Sequence, residues 1–303
     1  MSRRKTGRDI HGMLLLDKSP GMSSNGAVQR VKRLFQANKV GHTGSLDPIA
    51  TGLLPLCLGE ATKLSGFLLN TDKRYFTRVR LGRTTTTADI EGEMLEEKPV
   101  PALDEAVIEA ALRPFRCEFE QMPPMYSALK HQGCKLYELA RKGVEVERQP
   151  RRISIYELRL LDYGEDFLDL DVHCSKGTYI RVLAEEIGAA LGCGGHVEQL
   201  RRTAVGSFTL AQSVRFEDLE TMEDEERLAL LLPFSAIAEE LPAFALSADV
   251  AFFLRKGQPV FAPNAPTSGL LRLFTREGAF IGVGEVTDDG MIAPRRLVKE
   301  PVK

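Results

Sequence analysis

The segment Gly41-His42-Thr43-Gly44-Ser45-Leu46-Asp47-Pro48-Ile49-Ala50-Thr51-Gly52 sets one carboxylate among glycines, hydroxyls and a histidine. Pro48 pushes Asp47 out of helical geometry and stiffens the loop. The glycines let backbone approach a ligand closely. A rigidly presented acid suits covalent or acid–base chemistry. The same residues would also make an Asp-Pro turn in a connecting loop, and residue type alone leaves both readings standing.

The flanking sequence supplies elements to hold such a loop. Met13-Leu14-Leu15-Leu16 is a short apolar run with buried-strand character, ended by the turn Asp17-Lys18-Ser19-Pro20-Gly21. Ser23 or Ser24 then caps a helix in which Val28, Val31, Leu34 and Phe35 recur at helical spacing. An apolar segment follows at 53–58 and a short helix at 62–69. A strand over 74–81 carries Tyr75, Thr77, Val79 and Leu81 on one face. Residues 82–92, polar and threonine-rich, read as a flexible surface loop.

Helices are predicted over 103–112 and over 135–143, the second stopped by Gly143. Strands over 152–160 and 167–174 come next. A helix with the stripe Ile180, Leu183, Ala184, Ile187 and Leu191 follows, capped by Thr178. A strand region covers 197–210, and helical segments fill 216–240. Beyond Pro242, runs at 270–274, 279–286 and 291–298, separated by glycine-containing turns, predict a small all-β unit. The chain therefore divides into 1–244 and 245–303.

The composition is globular, with 43% hydrophobic and 27% charged residues in 303. The net charge of -2 means that any nucleic-acid footprint must be concentrated on one face. Candidate clusters are the basic residues at 3–8, Arg30-Lys32-Arg33, Lys73-Arg74, Arg141-Lys142, Arg148-Arg151-Arg152 and Arg201-Arg202; an acidic run at 217–226 opposes them. Each cluster taken alone reads as solvated surface.

The five cysteines form no CxxC pair, which points to no disulfide framework and to a reducing cytoplasm. Cys193-Gly-Gly-His196 lacks a second ligand pair, so no metal is expected. No apolar core of a signal peptide follows the basic N-terminus, and no run reaches the ~18 apolar residues of a membrane span. A soluble cytoplasmic protein is expected.

GHTGSLDPIATGLLP, residues 41–55, closely resembles the TruB family signature GHTGxLDPxATGxLP of bacterial tRNA pseudouridine-55 synthases, agreeing at every specified position. The likeness continues in Gly12-Met-Leu-Leu-Leu-Asp-Lys18, Gly21-Met-Ser-Ser24, Asp72-Lys-Arg-Tyr75, Met125-Tyr-Ser-Ala-Leu-Lys130, Cys174-Ser-Lys-Gly-Thr-Tyr-Ile-Arg181 and His196-Val-Glu-Gln-Leu-Arg-Arg202. One departure is Ser19, since the family usually has proline directly after the first lysine. The resemblance implies an α+β catalytic domain with a mixed, mainly antiparallel sheet flanked by helices. It also implies an RNA-binding insertion at about 122–152 and a C-terminal PUA-like RNA-binding domain.

It further implies an isomerase that turns the T-loop uridine of tRNA into pseudouridine without cofactor or metal. Asp47 becomes the nucleophile, kept ionised by Arg181. Tyr75 stacks on the flipped base, Tyr179 and Leu200 line the uracil pocket, and His42 meets displaced loop nucleotides. Lys18, Lys130 and the arginines near 148–152 become phosphate contacts. The partner is the tRNA T-arm, engaged by a monomer with no obligate protein partner and no membrane. The alternatives are a tRNA-folding chaperone without catalysis, a synthase acting on another RNA, and a nucleoside hydrolase-like enzyme.

Overall fold

The computed structural model describes residues 7–299. Its centre is a ten-stranded mixed sheet. The order is Val214–Arg215, Gly12–Lys18, Thr51–Leu58, Gly195–Val205, Lys73–Leu81, Phe167–Cys174, Arg151–Tyr163 and Glu118–Gln121. Val40–His42 pairs with Thr51–Leu58, and Phe208–Thr209 with Gly195–Val205. Pairing is antiparallel except between Gly12–Lys18 and Val214–Arg215 and between Thr51–Leu58 and Gly195–Val205.

Alternation along the first strand builds two cores from one apolar run. Leu14 and Leu16 pack with the helix Ser24–Leu34 and with Ile180, Leu183 and Ile187 of the helix Ile180–Ala190. Met13 and Leu15 face the other way, onto Leu53, Cys57, Leu64, Phe208 and Ile237. Each such side chain, fully buried, contributes about 1.5–3 kcal/mol. This second core includes Val283 and Val298, so the C-terminal unit is seated against the large sheet.

Ser23 caps the first helix, its hydroxyl accepting from the Gly26 amide at 3.0 Å, which leaves Ser24 for another task. The cap of the helix Ile180–Ala190 corrects the sequence reading. Tyr179 occupies the cap position, and the Thr178 hydroxyl donates to the Ser175 carbonyl instead. The expected helix at 62–69 is a 3-10 turn, Gly59–Lys63, followed by the short helix Ser65–Leu69.

Residues 82–92 are not a free surface loop. Arg83–Thr85 pairs with Met94–Glu97, the amide of Ile90 donates to the Val197 carbonyl, and Thr85 and Asp89 are buried. Nor is the C-terminal unit all β. Its sheet, Ala243–Leu246, Gly269–Thr275, Phe280–Val286 and Ile292–Leu297, carries the helix Ala248–Arg255 capped by Ser247. Ala243–Leu246 runs across the expected boundary at 244/245 and belongs to this sheet. No described helix is long and apolar enough to cross a membrane.

Candidate active site

The loop that carries Asp47 leaves the edge strand Val40–His42 and re-enters the sheet at Thr51–Leu58, and it is fastened along its length. Ser24, buried behind it, accepts from the Leu46 amide at 2.7 Å and donates to the Leu46 carbonyl at 3.0 Å. The Pro48 carbonyl accepts from the Gly21 amide at 2.9 Å and from Lys18 Nζ at 3.3 Å. Thr43 is tied to the Pro55 carbonyl through its amide at 3.2 Å. The residue before and the residue after Asp47 are therefore both held by the first strand–turn–helix unit. This is the role that elements flanking a catalytic loop must play.

Arg181 meets Asp47 from the first turn of its helix, with Nε 2.9 Å from Asp47 Oδ2. The arginine side chain is 5% exposed and that of Asp47 is 39% exposed, so the cation is enclosed while the carboxylate stays reachable. The other guanidinium nitrogens are committed. Nη1 donates to the Thr87 carbonyl at 2.8 Å and lies 3.7 Å from Asp89 Oδ2; Nη2 donates to the Tyr126 carbonyl at 2.7 Å. Arg181 thus joins the Asp47 loop, the 82–92 segment and the Tyr126 backbone at one point. Burial raises the Asp47 carboxyl above the ordinary carboxylate value; Arg181 opposes this, and Asp89 adds to it.

Tyr75 stands on the strand Lys73–Leu81, directly opposite Arg202 of Gly195–Val205, and Leu200 stands opposite Thr77. Burial raises the phenols of both Tyr75 and Tyr179, and the Asp47 charge acts on both. Gln121 fixes the Tyr179 backbone from both sides, its Oε1 accepting from the amide at 2.8 Å and its Nε2 donating to the carbonyl at 3.2 Å. His42 is half-buried at the start of the loop, its Nδ1 accepting from the Gly44 amide at 3.3 Å. Burial, Arg202 and Lys135 together lower its basicity. Asp47 thus pairs with Arg181 and lies within electrostatic reach of Tyr75 and Tyr179, while His42 opens the same loop and Leu200 sits two residues before Arg202 on the neighbouring strand.

Lys18 requires a correction. It is fully buried, and its ammonium donates to the carbonyls of Ser19, Met22 and Pro48 at 3.0, 2.7 and 3.3 Å, so it braces the loop rather than facing a phosphate. Burial lowers its pKa to about 8. The turn that departs from the family pattern at Ser19 still closes on Lys18, and Ser19 Oγ donates to Glu217. Lys130 is exposed on the small hairpin Lys130–His131 and Cys134–Lys135, whose Lys135 charge reaches His42.

Most expected basic clusters are not free surface either. Arg8 pairs with Asp224 at 2.7 Å and Arg30 with Glu220, both in the acidic run that sequence had set apart. Lys73 is buried on three carbonyls, and Arg74 pairs with Asp171 and Glu157. Arg201 pairs with Asp17 at 2.6 Å, and Arg202 is buried. Arg148 donates to the Pro123 carbonyl, and Arg152 lies 3.3 Å from Glu118. Arg141 and Lys142 remain exposed. The basic residues at 3–6 lie outside the described residues. Cys193 and His196 are occupied by the carbonyls of Gly188, Gly194 and Arg83.

Sequence reasoning missed Asp89, Ser24, Gln121 and Arg202 as parts of this site. The paired serines at the helix start were a usable signal, since only one can be the cap.

Three family models match the chain in succession. "TruB family pseudouridylate synthase (N terminal domain)" covers residues 32–180, "tRNA pseudouridylate synthase B C-terminal domain" covers 181–238, and "Pseudouridine synthase II TruB, C-terminal" covers 242–298. Similar proteins named tRNA pseudouridine synthase B include that of Nitrosococcus oceani, 56% identical over 98% of this chain and 97% of its own. That of Serratia proteamaculans is 50% identical over 99% of both. The chain belongs to the TruB family of pseudouridine synthases, which are isomerases. Among solved structures, a Cbf5-Nop10-Gar1 complex aligns over 95% of this chain and 84% of that one, with TM-score 0.73 at 24% identity, which shows the shared fold. The TruB models divide between Ile180 and Arg181, so the Asp47–Arg181 pair joins two matched segments.

Proposed function

We propose that this TruB family member converts the T-loop uridine at position 55 of tRNA to pseudouridine, with the base flipped into the cleft and Asp47 as nucleophile. The observation that carries this reading is the Asp47–Arg181 ion pair, 2.9 Å long, with the cation enclosed and the carboxylate reachable. The complete loop signature and the names of the relatives support tRNA as substrate.

Extruding a stacked base costs roughly a few kcal/mol, and stacking on Tyr75 returns roughly 1–3 kcal/mol of it. Tyr179 and Leu200 line the uracil pocket, and His42 meets the nucleotides that the flipped base leaves behind. The Asp47 carboxylate adds to the flipped nucleotide, at the base or the sugar. The N1–C1′ bond breaks, the base turns, a C5–C1′ bond forms, the C5 proton leaves and N1 takes up a proton. Asp47 is released unchanged. Substrate and product are isomers, so the balance closes without oxidant, reductant or cosubstrate. The exposed cations of the 122–152 insertion, Lys130 among them, grip the T-arm phosphates and make binding salt-dependent. The C-terminal PUA-like unit extends the RNA surface, and the protein works as a cytoplasmic monomer.

The test uses unmodified tRNA transcript carrying tritium at uridine C5. Intact protein should release tritium and Asp47→Asn should not, while both retain the RNA on a filter. Binding without release by either protein would replace this reading with the chaperone; release by Asp47→Asn would remove the nucleophile.

A further inference from the structure

Arg202 is the largest fully buried side chain among the described residues, and its guanidinium faces the catalytic loop. Nε donates to the Leu53 carbonyl at 2.8 Å, Nη2 to the Gly44 carbonyl at 3.1 Å and Nη1 to the Ser45 carbonyl at 3.4 Å. Gly44 and Ser45 precede Asp47 in the chain and Leu53 follows it. One side chain therefore grips both limbs of the loop. The Arg202 backbone lies opposite Gly52 of the second limb on one side and Tyr75 on the other. Gly52 has φ +99°, and a Cβ there would overlap the Arg202 carbonyl oxygen.

Three partners of the guanidinium are carbonyls, and the Tyr75 hydroxyl is a fourth, neutral one. Burying a cation on neutral acceptors is costly, and an apolar side chain of similar volume would fill the space more cheaply. What such a side chain would lack is the fork of N–H donors across three carbonyls and a fixed positive charge beside Tyr75. That charge acts on Tyr75, His42, Lys18 and Lys73.

We propose that Arg202 is a positioning residue for the isomerisation: it clamps both limbs of the Asp47 loop and holds a permanent cation behind Tyr75 and His42. The inference rests on Asp47 being the nucleophile. Arg202→Met keeps the bulk and removes fork and charge; Arg202→Lys keeps the charge and loses the fork. The readouts are single-turnover tritium release at saturating tRNA, filter binding of tRNA, and imidazole NMR titration of His42, assigned through His42→Asn.

Arg202→Met should lose roughly 10²-fold in rate, as a small misplacement of a catalytic group does, with tRNA affinity nearly unchanged and the His42 pKa raised. Arg202→Lys should lose less rate and keep the His42 pKa close to that of the intact protein. Full rate in Arg202→Met overturns the inference. Equal loss in both variants with an unmoved His42 pKa also overturns it, because a purely structural role would do that. Should Arg202→Met not fold, Arg202→Lys decides: a reduced rate with intact affinity and His42 pKa supports the clamp, and full rate refutes it. An Asp47→Asn protein that still turns over would instead remove the nucleophile reading, whatever Arg202 does.

Discussion

Replacing Ser24 by alanine, with Ser23→Ala beside it, separates holding the Asp47 loop from starting a helix. Ser24 makes two buried hydrogen bonds, 2.7 Å from the Leu46 amide and 3.0 Å to the Leu46 carbonyl. Alanine leaves that amide without a partner in a buried site, at about 1–3 kcal/mol. In a domain of this size each kcal/mol lowers Tm by roughly 2–4 °C. Leu46 immediately precedes Asp47, so the freed backbone also lets the carboxylate drift, and a drift of about 1 Å costs on the order of 10²-fold in rate. Ser23 is exposed and caps the helix at 3.0 Å from the Gly26 amide. Its loss costs about 1 kcal/mol and leaves the loop alone. Thermal melts followed by single-turnover tritium release should show similar modest destabilisation for the two variants but a large rate loss only for Ser24→Ala. Equal rates in the two would refute the argument that Ser24 places Asp47.

Two further outcomes follow from the same geometry. Gly52→Ala should destabilise severely, because its Cβ would overlap the Arg202 backbone. Gly44→Ala, whose Cβ would meet nothing nearer than 3.7 Å, should cost only the ~1–3 kcal/mol of its φ of +137°; denaturant melts that rank them the other way would contradict the packing described. The rate should fall as pH drops through the Asp47 pKa, which burial raises above the ordinary carboxylate value of about 3.9. With Asp47 acting as the ionised nucleophile proposed above and Arg181 pulling this pKa down, Arg181→Gln should move the acid limb to higher pH. An acid limb that stays in place would show that Asp47 is not the group being titrated.

The Asp47 loop could be read from sequence because its evidence is local. Glycine, proline and aspartate at fixed offsets dictate backbone geometry within a few residues, and the loop signature is unbroken from Gly41 to Pro55. The period of apolar residues did the same for Gly12–Lys18, Ser24–Leu34, Phe167–Cys174 and Ile180–Ala190, where each element's buried face repeats along the chain. The 82–92 segment defeated that reasoning. Its polar threonines look solvated, yet Thr85 and Asp89 are buried: Thr85 donates to the Asp89 carbonyl, and Asp89 and the Thr87 carbonyl meet Arg181 from far along the chain.

By itself the sequence determined where Asp47 lies, which residues alternate into a core, and that the chain carries a TruB loop. Only the tertiary structure decided the fate of each charge. Arg8 and Arg30 meet an acidic run more than half the chain away, Lys18 and Lys73 close on backbone carbonyls, and Arg202 turns inward onto the carbonyls of Gly44 and Leu53 while its neighbour Arg201 pairs with Asp17. The physical reason is that backbone conformation is set over a few residues, whereas the energy of a charge depends on its partners and its exposure, which folding alone supplies.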